Sequence, residues 1–301
     1  MPKILIIANP VSGRGRGARV AEKTELRLRE LGGTAETVFT SKRGDAKEFA
    51  RRAGDFDRIV AVGGDGTVNE ILNGLPDNAP PLGQVPVGTA NVLAKTFGLP
   101  RTPRPGADAI HAGHTVEVDV GLANGRKFLL MASAGFDAQV VHDFHAQRTG
   151  AIRMREYFTW SIRAIFNYEP PRLRVTADGQ KLPDGSYVLV SNLPCYGGPL
   201  AFTRTAKVND GALDLLVYSA WGKLNVVRLF AEAFAGDPCA MPDATHRLVK
   251  KVVIEAESPL PWQVDGDPGE TLPLTVEMCA QRVKLIVPES TKADLEKPAE
   301  A

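Results

Sequence analysis

The sequence predicts an α/β N-terminal domain, doubly wound, followed by a mainly antiparallel β-sandwich C-terminal domain. Three observations carry that expectation. Up to about residue 120, short unbroken apolar runs alternate with apolar stripes at helical spacing, the pattern of strands covered on both faces and of the helices that cover them. Beyond Asp119 the chain breaks into short strand-like runs separated by strong turn signals: Asp178-Gly179, Asp184-Gly185, Asn209-Asp210-Gly211 and Asp265-Gly266. The 301 residues are 44% hydrophobic and 24% charged, so apolar surface is sufficient to offset the entropy of ordering the chain.

Residues 4–8 form the first predicted strand, and Val20, Thr24, Leu28 and Leu31 the helical stripe after it, ended by Gly32-Gly33. Residues 37–39 read as a strand, 46–53 as a helix, and 58–62 as the clearest strand, stopped by Gly63-Gly64. Val68, Ile71, Leu72 and Leu75 repeat at helical spacing; residues 85–87 form another strand, and Thr89 caps a helix running to Phe97. Such alternation predicts a parallel sheet with helices on both faces. The later strands are expected at 127–132, 173–177, 187–191, 213–218, 251–255, 271–278 and 282–287, with helices at 150–167 and 224–234. The expected domains are residues 1–121 and 122–290, with a flexible tail at 291–301.

Charge and cysteine content narrow the function classes. Net charge is +1, from 36 Lys/Arg against 35 Asp/Glu, which excludes a globally basic nucleic-acid binder. The first apolar run is too short for a signal peptide, and no stretch approaches the ~18–20 apolar residues of a membrane span. Cys195, Cys239 and Cys279 lack CxxC spacing, so neither a disulfide framework nor a zinc site is expected, and a reducing cytoplasm suits them.

Glycine and proline together make about one residue in six, above the ~12% average. The densest cluster is Gly63-Gly64-Asp65-Gly66-Thr67-Val68-Asn69-Glu70, placed where an apolar strand gives way to an amphipathic helix. There, at the carboxyl end of a strand, glycines let backbone N–H groups approach phosphate oxygens and the helix N-terminus adds positive potential. An acid in an anion site implies a metal ion or a proton to abstract. Gly13-Arg14-Gly15-Arg16-Gly17-Ala18 also fits the GxGxxA dinucleotide fingerprint, but four residues separate it from the strand. Arg14 and Arg16 read as phosphate-facing cations or as solvated loop arginines.

At these residues the sequence resembles a family. Gly63-Gly64-Asp65-Gly66-Thr67 is the nucleotide signature shared by diacylglycerol, sphingosine and NAD kinases and phosphofructokinases, which implies an NAD-kinase/phosphofructokinase-like first domain. Asn69-Glu70, Pro86-Val87-Gly88-Thr89-Ala90-Asn91, Asn9-Pro10-Val11-Ser12-Gly13, and Thr40 with Gly44-Asp45-Ala46 are similar to the bacterial lipid-kinase branch of the diacylglycerol kinase catalytic family. The resemblance continues through Asp119-Val120-Gly121, Ala134-Gly135-Phe136-Asp137 and Asn209-Asp210-Gly211-Ala212-Leu213-Asp214, covering nearly the whole chain.

That resemblance implies an ATP-dependent lipid kinase acting on diacylglycerol or a related lipid, with the reaction in an interdomain cleft. ATP contacts fall on Asn9, Pro10, Val11, Ser12, Gly13, Thr40, Gly63, Gly64, Asp65, Gly66, Thr67, Val68, Asn69 and Thr89. Thr40 and Thr89 also read as helix caps. Asp119 is implied in a polar network with Asp65 and Thr89, or is a turn carboxylate. Mg2+ is implied on the Asp210 carboxylate and the carbonyls of Lys207 and Ala212, where an Asp-Gly turn is the alternative. Asp65 holds catalytic Mg2+ or acts with Asp267 on the acceptor proton.

Two departures stand out. Asp267 occupies the place of a Glu taken in relatives as general base, one methylene longer, and an Asp-Gly-Asp hairpin without chemistry is the other reading. Gly197-Gly198-Pro199 lacks the third glycine that relatives often carry. Six arginines and seven aromatic or branched apolar residues between 148 and 174 suit an anionic bilayer or a solvated helix. The implied partner is a membrane lipid met by peripheral association at the inner membrane face; no nucleic acid is expected, and a homodimer is compatible. A soluble-substrate kinase of the NAD-kinase kind and a nucleotide- or lipid-binding protein with weak or no transfer are the alternatives.

Overall fold

In the computed structural model, which describes residues 1–147, 154–196 and 200–296, the expected alternation takes shape as β1 (Lys3–Ala8), a single kinked turn α1 (Ser12–Gly15), α2 (Gly17–Glu30), β2 (Thr34–Phe39), α3 (Asp45–Ala50), β3 (Arg58–Gly63), α4 (Asp65–Leu72), β4 (Leu82–Pro86), α5 (Val92–Thr96), α6 (Pro103–Ala112) and β5 (Thr115–Val118). β1 pairs in parallel with both β2 and β3, and β3 with β4. Covered on both faces, Ile4, Leu5, Ile6, Ile7 and Ala8 are all fully buried, which is why this strand reads as an unbroken apolar run rather than an alternating one. Ala21, Thr24 and Leu28 of α2 make the inward stripe.

Two local expectations fail for identifiable reasons. The helix expected from Thr89 starts only at Val92, because Asn91 sits in left-handed backbone (φ 47°, ψ 53°), which a continuous helix does not admit. The helix expected over 46–53 ends at Ala50 and gives way to a 3-10 turn at Ala53–Asp55.

The second unit begins at Asp119. Its elements are β6 (Gly121–Ala123), β7 (Arg126–Phe128), β8 (Met131–Ala134), α7 (Phe136–Gln147), α8 (Met154–Asn167), β9 (Leu173–Ala177), β10 (Gln180–Lys181), β11 (Tyr187–Ser191), β12 (Cys195–Tyr196), β13 (Leu200–Ala201), β14 (Leu213–Tyr218), α9 (Lys223–Ala235), β15 (Ala244–Val249), β16 (Lys251–Ala256), β17 (Pro261–Val264), β18 (Asp267–Thr271) and β19 (Leu274–Met278). They form two six-stranded antiparallel sheets, ordered β10-β9-β16-β19-β6-β7 and β15-β14-β11-β8-β17-β18. Phe128, Leu215, Val217, Val252, Ile254, Trp262 and Val276 fill the core these sheets share. The expected β-sandwich is therefore present.

Two predicted strands are each divided between the sheets. The run 127–132 becomes β7 and β8, because the N–H groups of Leu129, Leu130 and Met131 go to the Asp265 carboxylate instead of a neighbouring strand. The run 271–278 becomes β18 and β19, broken at Pro273, which has no N–H to give a ladder.

The chain then returns. The last strand, β20 (Val283–Ile286), lies in the first sheet between β4 and β5, parallel to the one and antiparallel to the other, giving β2-β1-β3-β4-β20-β5. The compact units are thus Met1–Val118 with Gln281–Ala301, and Asp119–Ala280. This corrects the expected 122–290 extent of the second domain. Hydrophobic period shows that 282–287 is a strand, but it does not show to which sheet a strand belongs. The expected flexible tail is also corrected in part: α10 (Glu289–Glu296) is helical, held where Thr291 Oγ1 donates to the Phe97 carbonyl at 3.0 Å.

Candidate active site

The carboxyl ends of β1, β3 and β4 face the same edge of the first sheet, and each is followed by one of the glycine-bearing loops. Backbone contacts draw the loops together. Asn9 N–H donates to the Val62 carbonyl, and Val87 N–H to that of Gly63. A Cβ on Gly88 would stand 2.5 Å from the Gly64 Cα, and one on Gly13 would overlap the Val87 carbonyl. Glycine is required at these places so that neighbouring loops can touch. A Cβ on Gly66, in contrast, meets nothing within 4 Å, so packing within the protein does not account for that glycine. It lies open in the first turn of α4, at the positive end of the helix, where the Thr67 and Val68 N–H groups already bond the Gly64 carbonyl. The loops therefore fit a polyphosphate.

The sequence-predicted residues divide by their place in this edge. Pro10, Val11, Ser12 and Gly13 line the turn after β1; Asn9 Oδ1 accepts from Val11 N–H at 3.2 Å, which shapes that turn. Arg14 is exposed with left-handed backbone, while Arg16 Nε donates to the Gly13 carbonyl at 2.9 Å. Thr40 follows β2 and hydrogen-bonds Ala8 through its N–H; it does not cap α3, whose N-cap is Gly44. Thr67, Val68 and Asn69 are buried on α4, so their side chains support the loop from behind. Asn91 is buried, its Nδ2 donates to the Gly88 carbonyl at 2.8 Å, and its Oδ1 has no partner.

Asp65 has a structural occupation that the sequence did not disclose. Its carboxylate oxygens accept from Val92 N–H at 3.0 Å and Leu93 N–H at 3.2 Å, capping α5 and tying the β3 loop to the β4 loop. The helix start expected of Thr89 is thus provided by Asp65. Burial pushes this carboxyl up from the usual range, while the two N–H donors hold the charged form.

Asp267 opens β18 in the second unit. Its Oδ2 is 2.6 Å from Arg126 Nη2 of β7, and its Oδ1 is 3.9 Å from His145 Nε2 of α7. The strand that carries it is fixed by two neighbours. Asp265, with left-handed backbone (φ 51°), pins the start of β8 as described above. Gln263 Oε1 accepts from Gly266 N–H at 2.9 Å, and its Nε2 donates to Ser133 Oγ at 2.7 Å and to Asp137 at 3.3 Å. Asp137 is fully enclosed; burial raises its pKa, and donors from Ser133 and the Ala138 N–H oppose that rise. Sequence reasoning missed Arg126 and His145, because no local spacing links them to Asp267, 141 and 122 positions later; Gln263, only four positions before Asp267, was missed because its partners Ser133 and Asp137 are distant in sequence.

The loop 207–212 is a turn around Asp119. Asp119 is buried, its Oδ2 accepts from Gly211 N–H at 2.7 Å, and its N–H donates to the Val208 carbonyl. Asp210 is exposed, with Oδ1 accepting from Ala212 N–H at 3.2 Å. Among the described residues no group of three or more His, Cys, Asp and Glu could hold a metal ion. The loop's own donors, one carboxylate and the Lys207 and Ala212 carbonyls, are all oxygens and suit a hard cation that keeps several waters. Residues 197–199, and Arg148 and Arg153 of the basic segment, lie outside the described residues.

Comparison with known proteins agrees with this architecture. Residues 3–123 match the family described as Diacylglycerol kinase catalytic domain, and residues 131–287 match the YegS C-terminal NAD kinase beta sandwich-like domain. The chain belongs to the bacterial lipid-kinase family that joins these two domains. A diacylglycerol kinase of Bacillus subtilis is 27% identical over 98% of this chain and 100% of its own. A diacylglycerol kinase of Staphylococcus carnosus is 25% identical over 95% of each chain. The crystal structure of a diacylglycerol kinase from Bacillus anthracis shares the fold, with a TM-score of 0.73 at 24% identity over 96% of this chain and 98% of that one.

Proposed function

We propose that this kinase transfers the γ-phosphoryl group of ATP to the hydroxyl of a lipid, diacylglycerol or a related neutral lipid. The observation that carries the reading is the meeting of three glycine-bearing loops at one sheet edge, with Gly66 open at the start of α4. Phosphoryl transfer needs positioning and charge neutralisation more than covalent help. The turn after β1 and residues 63–69 would hold the ATP phosphates, with Thr40 and Thr89 at the nucleotide. Asp65 would set the two loops at their working separation and, with part of its charge toward the phosphates, favour a bound cation. Mg2+, when bound with ATP, neutralises charge on the transferring group. A second Mg2+ would be held by Asp210 and the Lys207 and Ala212 carbonyls, ordering their loop.

Asp267 would engage the acceptor hydroxyl, which the second unit presents. A lipid acceptor calls for peripheral membrane contact, supported by Arg163 and Phe166, both exposed on α8, and by the absence among the described residues of a helix long and apolar enough to cross a membrane. Sedimentation with anionic and neutral liposomes tests that contact.

The deciding experiment incubates the chain with labelled ATP, Mg2+ and a panel of lipids in mixed micelles, with NAD as a soluble acceptor. Label in a phospholipid product supports the reading. Label in NADP, or ATP binding without transfer to any acceptor, overturns it.

A further inference from the structure

We infer that the outward face of α9, continued by Trp221 and by Phe166 of α8, is the surface by which the second unit docks on an anionic phospholipid bilayer. The inference deepens the kinase reading above and rests on it for the choice of a lipid partner. α9 is apolar on two sides. Val226, Leu229 and Ala233 are buried and make its inward side. Val226 and the partly buried Phe230 share a core with Phe136 and Val140 of α7 and Ile165 of α8. On the other side Leu224, Val227, Ala231 and Phe234 recur at helical spacing and are all exposed, Leu224 at 84% and Phe234 at 60%. The solvent side of a surface helix is ordinarily polar.

The stripe is about 15 Å long at the helical rise of ~1.5 Å per residue, and it does not stop where the helix starts. Lys223 Nζ donates to the Phe166 carbonyl, and Trp221 Nε1 donates to the Pro171 carbonyl at 3.2 Å. These bonds bring Trp221 and the N-terminus of α9 against the end of α8. Phe166 is 70% exposed and Trp221 45%. Exposed apolar side chains scattered singly are ordinary, whereas a contiguous group of large ones marks a surface that meets a partner. The Trp221 indole also suits a headgroup layer, since its ring is apolar and its N–H is already bonded.

Charge selects the bilayer over a second copy of the chain. From Thr159 to Asn167 of α8 and along α9 the charged residues are Arg163, Lys223, Arg228 and Glu232. The partner of Lys223 is a neutral carbonyl, which does not cancel its charge. Arg228 shares its charge with Asp243 at 3.5 Å. The Glu232 carboxylate is turned toward Gly236, past the C-terminal end of the stripe. The face therefore carries net positive charge, which a second copy would repel and anionic headgroups complement. Leucine, phenylalanine and tryptophan set among basic residues are the composition that enters a bilayer surface by about 5–10 Å.

The test sediments wild type, Leu224→Gln, Phe234→Gln and Lys223→Gln with vesicles of phosphatidylcholine alone and of phosphatidylcholine with phosphatidylglycerol, and records the melting and size-exclusion mass of each. Wild type is expected to favour the anionic vesicles. Leu224→Gln and Phe234→Gln should each lower partitioning about tenfold, and Lys223→Gln should lower it about fivefold on anionic vesicles only. Melting should not change, because these side chains are exposed. Brominated lipid should quench tryptophan fluorescence in wild type, and Trp221→Phe should lose most of that quenching. Partitioning of Leu224→Gln and Phe234→Gln within about twofold of wild type, or a wild-type dimer that they split with vesicle binding intact, overturns the docking surface. Phosphorylation of a soluble short-chain diacylglycerol separates the two readings: activity there without vesicle binding overturns the surface alone, and vesicle binding without transfer to any lipid overturns the kinase reading alone.

Discussion

The carboxylates of this chain divide by what each one touches. Asp65, Asp119 and Asp265 accept backbone N–H groups and fix loops, so their charges are largely committed to the fold. Removing Asp65 therefore does more than remove a charge at the proposed ATP site: it frees the start of α5, and an alanine variant would lose loop geometry along with activity. Asp214 is paired otherwise, with His246 Nε2 at 2.7 Å across the β14–β15 ladder. That hydrogen bond, above all, raises the His246 pKa. A raised histidine pKa means that the folded chain holds the proton more tightly than the unfolded one. Its contribution is fully present below the unfolded value of about 6.5 and is lost as pH rises through the folded one. Melting midpoints should accordingly fall between pH 6 and 9 in wild type, and fall less in His246→Gln; equal slopes would remove His246 from the account.

Among the elements, those with strong local signals were readable and those defined by a partner were not. β1 and β3 are continuous apolar runs because helices cover both faces, and any sequence reading finds them. α5 begins at Val92 because Asp65, 27 positions earlier, supplies its cap. No residue near Asn91 announces that. The same contrast holds between Asp267, which the family resemblance of its Asp-Gly turn singles out, and His145 and Arg126, which stand against it from a helix and a distant strand.

The glycines of the three loops proposed to hold the nucleotide allow a test at this scale. Gly88→Ala would place a methyl 2.5 Å from the Gly64 backbone, where something must move, and should cost about 1–3 kcal/mol of stability. Gly66→Ala meets open space, so its melting should match wild type while KM for ATP rises severalfold. If both variants melt alike and bind ATP alike, the loops do not form the phosphate site.

At the level of the whole molecule, the second unit is an insertion between β5 and β20 of the first. The β-sandwich has its own core and needs nothing beyond Ala280 to close it. The first sheet does need the C-terminal segment: β20 brings the buried Val283, Leu285 and Ile286, and the buried Val287 follows it. Ending the chain after Ala280 leaves β4 and β5 without their shared neighbour, and apolar edge strands of that kind associate with other chains. That truncation should drive the protein into aggregates, whereas ending it after Pro288, which removes only α10, should leave most of it soluble; centrifugation and size-exclusion chromatography compare the two.

The placement of β20 also has a consequence in time. Synthesis runs from the N-terminus at about 5–20 residues per second, so the segment 1–118 emerges before the inserted unit but waits for its sixth strand until residues 283–286 have been made. The inserted sandwich is complete while the first sheet still lacks that strand. The half that is made first is therefore the half that folds last, and during that interval its open strand edges are the part of the nascent chain most in need of a chaperone.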